Sequence, residues 1–314
     1  MNVTRELPLR HTCIRKGARQ LRVCVAVNLA GSNTPASINT LITKANNMSS
    51  PKIKPASVDR MASHEPGVYI NSKGKKTFIP LENNPEVFTE LIHKLGVAKQ
   101  LGFYDIYSID DPDLLAFIPR PCHALIFISP ADVYHRVRKG DGSKELTYDG
   151  SGEEEPVIWF KQTIGHSCGL VALLHSVSNG SAKEHILPDS SLDKLLKDAL
   201  PKKPWDRADV LYNSVDLEKA HMSVARKGDS TAPDAEEPNG YHFIAFVKGK
   251  DSHLYELEGS WNGPIDRGVL SEEEDCLGDE ALEMGIRRFV SAAEGNLEFS
   301  MIALATRPED EVEA

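Results

Sequence analysis

Apolar and polar positions along this chain follow two periods, and the changes of period mark its elements. Asn84-Pro85 precedes apolar residues at 87, 88, 91, 92 and 95, and Gly96 follows. That spacing predicts an amphipathic helix, capped by Asn and with Pro at its first position. Residues 103–107 and 124–129 read as strands. Residues 170–174 are apolar at every position, which predicts a buried helix over Cys168–Val177. Ser191–Ala199 and residues 206–225 read as further helices. A strand starting at His242, a polar turn over 248–252 and a second strand over 253–258 make a hairpin. Residues 280–293 place Leu282, Ile286, Phe289 and Val290 on one helical face, and 297–305 form a final strand. Two polar stretches interrupt the pattern. Residues 140–156, with three consecutive Glu, are expected to be a mobile surface insertion, and 226–239 a loop too polar to pack. No internal repeat occurs. The elements predict one α/β (α+β) domain, with an antiparallel central sheet flanked by helices.

Composition narrows compartment and partner. The 314 residues are 40% hydrophobic, and no run reaches membrane-spanning length. Cysteines at 13, 24, 122, 168 and 276 show no CxxC or metal-ligand spacing. An odd, scattered set argues for reduced thiols in the cytoplasm or nucleus, with no metal or cofactor. Cys122 precedes a core strand and reads as packing. Residues 1–60 hold ten Lys/Arg against two Asp/Glu, a net of +8; the chain total of −10 leaves −18 on residues 61–314. An acidic body disfavours nucleic acid and suits a basic protein partner, although solubility accounts for it equally well. The basic stretch is read as a disordered extension, or as an over-long reading frame with its start at Met48 or Met61. A mitochondrial presequence is the alternative. The expected organisation is an extension over 1–60, a catalytic domain over 61–308 and an acidic tail over 309–314.

Candidate chemistry lies where Gln162-Thr-Ile-Gly-His-Ser-Cys168-Gly169 runs into the apolar helix. A cysteine at the first turn meets unpaired N–H groups and the positive end of the helix dipole. Both favour a thiolate, so Cys168 is expected to titrate below a free thiol. Gln162 offers a side-chain N–H where a carbonyl oxygen would gain charge. Downstream, the hairpin brings His242, entering one strand, beside Glu258, leaving the next. That is the geometry of a base oriented by an acid. Taken singly, such a cysteine is most often a core residue and such a histidine structural. Four residues in the right order and the right local settings reverse that preference.

These blocks resemble a known family. Residues 160–170, containing Gln162 and Cys168, and His253-Leu-Tyr-Glu-Leu-Glu258-Gly259 are similar to the two signature blocks of the ubiquitin C-terminal hydrolases, which are cysteine peptidases. Residues 79–91 resemble that family's amino-terminal segment, and the wording of 104–121 is closest to its fungal members. The resemblance covers roughly residues 78–307. It implies a papain-like fold with a knotted chain path and an active-site crossover loop before His242. It makes Cys168 the nucleophile, His242 the general base, Glu258 the acid that orients it, and Gln162 the oxyanion donor beside the Cys168 N–H. The implied partner is ubiquitin or a ubiquitin-like modifier, cleaved from small leaving groups by a monomer, with no membrane or nucleic-acid partner.

Two departures stand out. The family has Asp followed by Gly-Arg where this chain has Glu258-Gly259-Ser260. The extra methylene is expected to hold the imidazole less well, so that Glu258→Asp would keep or raise turnover. An impaired ubiquitin-binding protein is the runner-up reading. His166, two residues before the cysteine, is read as a loop residue at the cleft mouth, with a second titrating group near the thiol as the alternative.

Overall fold

A computed structural model describes residues 64–141, 148–230, 240–296 and 298–312. In chain order the elements begin with β1 (Tyr69–Ile70), β2 (Lys76–Thr77), α1 (Pro85–Leu95), β3 (Leu101–Asp105), α2 (Pro112–Leu115), β4 (Cys122–Pro130) and α3 (Ala131–Gly140). The middle of the chain is helical: α4 (Cys168–Val177), a 3-10 turn at Gly180–His185, α5 (Ser191–Ala199), α6 (Pro204–Asn213) and α7 (Val215–Val224). Then come β5 (Tyr241–Lys248), β6 (His253–Leu257), β7 (Ile265–Val269), α8 (Asp279–Met284), α9 (Ile286–Ala292), β8 (Ser300–Thr306) and α10 (Glu309–Val312).

The strand residues have two-sided burial because helices cover both faces of one sheet. Its strand order is β3-β8-β4-β5-β6-β7, and the pairs are antiparallel. Side chains alternate across a strand. Accordingly, Ala124, Ile126 and Ile128 of β4, with Phe243, Ala245 and Val247 of β5, face the core under α1 and α4. Leu125 and Phe127, with Ile244 and Phe246, face a second core under α3, α8 and α9. The antiparallel sheet flanked by helices is as the sequence predicts.

Local signals account for the best-defined helix. Asn84 Oδ1 accepts the N–H groups of Glu86 (2.9 Å) and Val87 (3.4 Å). Gly96 closes α1 in the left-handed region, at φ 98°. Three expectations need correction. Residues 206–225 form two helices, because Ser214 leaves the helical conformation and its Oγ accepts the Leu217 N–H to start α7. Residues 280–293 are likewise split at Gly285, and Val290 is 40% exposed, off the buried face. The expected mobile insertion is anchored where it is described. Tyr148 packs edge-on against Trp159, and Glu155 pairs at 2.6 Å with Arg207, which is fully buried. The described part of the acidic tail forms the short α10, tied to β3 by a 2.6 Å bond from Tyr104 to Glu311. The basic extension over 1–60, residues 142–147, and most of the expected crossover loop (231–239), with any knotted path through it, lie outside the described residues.

Among the described residues, three histidines are buried as neutral rings. Burial lowers His175 to about 3, His221 to about 4 and His123 to about 4. His175 Nε2 accepts the Phe160 N–H at 2.9 Å, and His221 Nε2 donates to Ile79 O at 2.8 Å. Between those values and the ordinary 6.5, the unfolded chain binds protons that the fold refuses. Stability is therefore expected to fall as pH drops below about 6.5, each ring adding up to about 1.4 kcal/mol per pH unit. Urea unfolding across pH 4–7 measures the slope. His175→Gln keeps an acceptor without a titrating group, so its slope should be shallower by up to one proton; an unchanged slope would show that His175 does not titrate on unfolding.

Candidate active site

A stretch of chain that is neither helix nor strand leads to the site. Val157, Ile158, Trp159 and Phe160 are buried, so their backbone groups need partners. Side chains supply them. Asn179 Oδ1 accepts the Ile158 N–H (2.7 Å) while its Nδ2 donates to Ile158 O (3.0 Å). Arg207 donates to Trp159 O (2.9 Å), and His175 takes the Phe160 N–H. His175 lies on α4 and Asn179 just beyond it, so the helix that starts at Cys168 also fixes the approach to Gln162. Gln162 N–H then donates to Gly259 O at 2.8 Å, tying it to the turn after Glu258. That approach is close: a Cβ at Gly259 would lie 2.7 Å from Val171 Cγ1 and 3.0 Å from Gln162 Cβ.

Gly169 to Val177 are all buried, whereas Cys168 is partly exposed at the start of the helix. Just before it, Gly165 is held to β2 by Phe78 N–H to Gly165 O and Gly165 N–H to Lys76 O, both 2.9 Å. The N–H groups of Gly169, Cys168 and Phe243 favour the Cys168 thiolate, as the helix start suggests. Burial outweighs them, and the Glu258 charge adds to it, pushing the thiol up to about 12. That direction is opposite to the expected lowering. His166 lies at φ 54°, in the left-handed region. Burial, with the Lys75 charge, lowers its ring below the ordinary value. It is a half-buried loop residue, neutral at neutral pH.

His242 and Glu258 meet across the hairpin. Ala245 pairs with Leu257, so continuing the register puts Glu258 opposite Ile244 and diagonal to His242. His242 Nδ1 is 3.6 Å from Glu258 Oε1, an ion-pair separation longer than a formed hydrogen bond. Glu258 directly follows the end of β6 and is 3% exposed. Burial alone would raise its carboxyl; His242 and the side-chain and backbone donors of Ser260 outweigh burial and bring it below the usual range. Ser260 Oγ donates to Oε2 at 2.6 Å and Ser260 N–H to Oε1 at 3.1 Å.

One contributor was absent from the sequence reading. Tyr134 of α3 stacks on the His242 ring, centroids 4.1 Å apart and planes 13° from parallel, and its hydroxyl donates to Glu258 Oε2 at 3.2 Å. His135 adds an edge-on contact at 5.5 Å. No hydrogen bond joins Cys168 to His242 among the described residues. The start of α4 nevertheless packs on β5: a Cβ at Gly169, beside Cys168, would lie 3.3 Å from the ring of Phe243, next in chain to that histidine. Among the described residues, no cluster of three or more His, Cys, Asp or Glu is placed to hold a metal ion, and no helix is long and apolar enough to cross a membrane.

A thiol, an imidazole and a carboxylate gathered at one sheet end give the layout of a papain-like cysteine hydrolase. Comparison with known proteins sharpens the class. Residues 78–291 match the model of ubiquitin carboxyl-terminal hydrolase, family 1. The chain is 33% identical over 239 residues to ubiquitin carboxyl-terminal hydrolase YUH1 of Saccharomyces cerevisiae, covering 73% of this chain and 96% of that protein. It is 34% identical over 227 residues to isozyme L1 of Rattus norvegicus, covering 72% and 96%. The fold resembles the Trichinella spiralis UCH37 catalytic domain bound to ubiquitin vinyl methyl ester, with a TM-score of 0.56, 20% identity, and coverage of 73% of this chain and 95% of that one. The chain belongs to ubiquitin carboxyl-terminal hydrolase family 1, the cysteine-type deubiquitinases.

The close contact at Gly259 gives a test of the site's construction. Gly259→Ala should push the Gln162 loop outward and lower turnover by about a hundredfold, the scale of a misplacement near 1 Å. Single-turnover rates on a variant with unchanged circular dichroism measure this. A parental rate would show that the turn does not position Gln162.

Proposed function

We propose that this chain hydrolyses the bond after the terminal glycine of ubiquitin, or of a close ubiquitin-like modifier, with Cys168, His242, Glu258 and Gln162 in the roles the resemblance implies. The observation that carries the reading is His242 standing 3.6 Å from Glu258 on a strand, β5, against which α4 packs from its first turn at Cys168. With burial pushing the thiol up, attack needs a base. Cys168 Sγ attacks the glycine carbonyl carbon as His242 takes its proton, and the carbonyl oxygen becomes an oxyanion. The Gln162 carboxamide and the Cys168 N–H stabilise that charge. Collapse expels the leaving amine or thiol with the proton from His242 and leaves a thioester. Water, deprotonated by His242, then attacks the thioester and releases the glycine carboxylate and the thiol. Glu258 holds the ring and favours its charged form in both steps.

The resemblance also implies small leaving groups: short peptide extensions and amine or thiol adducts. Comparing rates on a ubiquitin C-terminal amide and on ubiquitin joined to ubiquitin tests this, and equal rates would remove the restriction. The runner-up reading draws on Glu258 in place of Asp and on the missing Arg after Gly259. Three donors on the Glu258 carboxylate favour the active reading, since they give the longer acid a fixed position.

Ubiquitin whose carboxyl terminus carries a thiol-reactive electrophile should label Cys168, seen as a mass shift that Cys168→Ala abolishes. Labelling at another cysteine, or none, would overturn the assignment. His242→Ala should be nearly inactive near neutral pH. Gln162→Ala should lose roughly a hundred- to a thousandfold in turnover, the usual effect of losing one oxyanion donor. An unchanged rate would leave the backbone N–H as the sole donor.

A further inference from the structure

Four groups surround the Glu258 carboxylate, and each contact is directional. Oε1 faces His242 Nδ1 at 3.6 Å and accepts the Ser260 N–H at 3.1 Å. Oε2 accepts the Ser260 hydroxyl at 2.6 Å and the Tyr134 hydroxyl at 3.2 Å. The peptide of the same residue is held as well, since Glu258 O accepts Trp159 Nε1–H and the Trp261 N–H, both at 3.2 Å. The side chain therefore folds back over its own turn, toward the residue two positions on.

Tyr134 touches both members of the pair. Its ring lies parallel to the imidazole and its hydroxyl reaches the acid, so one rigid side chain sets their separation. It is itself immobilised. Tyr134 is buried, and the Arg138 guanidinium lies 5.0 Å from its ring centroid. Arg138 is fixed by an ion pair to Glu256 and another to Asp141 at 3.2 Å. With His242 and Glu258 3.6 Å apart, no direct hydrogen bond sets the ring plane. Stacking does, and the aromatic face also favours the imidazolium formed during proton transfer.

We propose that Ser260 and Tyr134 are positioning residues that hold Glu258 against His242, and that Ser260 and Glu258 are a matched pair replacing a shorter acid. The proposal rests on the reading of Glu258 as the orienting acid. Aspartate at 258 would draw the carboxylate back by about 1.5 Å, one C–C bond. It would keep the turn contact to the Ser260 N–H, which short acids make readily. It would not reach both hydroxyls and the imidazole together. The geometry thus reverses the expectation that Glu258→Asp keeps or raises turnover.

Steady-state kinetics on a fluorogenic ubiquitin C-terminal amide, with urea midpoints recorded in parallel, test the pairing. Ser260→Ala and Tyr134→Phe should each lower kcat by about tenfold, the size of one hydrogen bond lost to a charged group, with KM within about twofold. Ser260→Thr keeps the hydroxyl and should recover most of the rate, which loss of packing alone would not predict. Glu258→Asp should fall below the parent. On that background Ser260→Ala and Tyr134→Phe should have less than about a third of their effect in the parent, as coupled residues do. If both hydroxyl deletions leave kcat unchanged while Glu258→Gln lowers it, the positioning roles are wrong and Glu258 stands. If the deletions act equally in the Glu and Asp backgrounds, or Glu258→Asp matches the parent, the matching is wrong. If Glu258→Gln keeps parental kcat, the reading of Glu258 falls and the proposal with it.

Discussion

Buried backbone that belongs to no helix or strand must still find hydrogen-bond partners, and residues 157–160 set that requirement on the rest of this structure. An unpaired buried donor or acceptor costs about 1–3 kcal/mol, and this segment has several to satisfy. Asn179, His175 and Arg207 meet the demand from the helical side. The consequence is mechanical. The cysteine at the start of α4, His175 near its end and the loop leading to Gln162 are tied together by these bonds, and Gly259 links them to the turn that carries Glu258. Arg207 extends the unit through Glu155 and through the carbonyls of Ala199 and Leu200. Breaking such a buried pair on one side leaves an uncompensated charge, a loss of about 3–5 kcal/mol. The distance between sulfur and carboxamide is therefore set far from either group.

What the sequence revealed was what local rules control. The α1 boundaries were legible because Asn84, Pro85 and Gly96 act within one turn of where they stand. The hairpin was legible because its strands adjoin in the chain, and with it came the approach of His242 to Glu258. Single helices over 206–225 and 280–293 were misread because apolar spacing continues across Ser214 and Gly285 while the backbone does not. Tyr134 was invisible for another reason. Its partner Glu258 is 124 residues away, and nothing about a tyrosine in an amphipathic helix announces a contact across the sheet. Ser260 was seen only as the absence of an arginine; its hydroxyl bond to Glu258 depends on how the longer side chain folds back.

The thiol shows how a correct local argument loses to a non-local one. Unpaired N–H groups at the start of α4 do favour the anion, as the sequence implies. Two of them, with a third N–H from the facing strand, act on the sulfur. Desolvation opposes them, and its size depends on elements that only the folded chain brings together. The Glu258 charge adds to it, so the acid that aids the histidine also discourages a resting thiolate. Since the thiolate is the reactive form, this cysteine is quiet until its proton has somewhere to go.

The sheet supplies that separation. Strand alternation places His242 and Glu258 on the α3 face, with Tyr134, whereas Cys168 packs on the opposite core under α4. A base and a nucleophile on opposite faces can meet only around a strand end, and β5 begins one residue before His242. Had the register slipped by one residue, His242 would face the α4 core, away from α3 and its tyrosine. The pairing of Ser129 with His242 in the neighbouring strand fixes the register from the other side. The site is thus held by two independent constraints. Side-chain capture of an irregular segment sets the sulfur and the carboxamide, and strand register sets the imidazole and its acid. Gly259, where the two meet, has no room for a single added carbon.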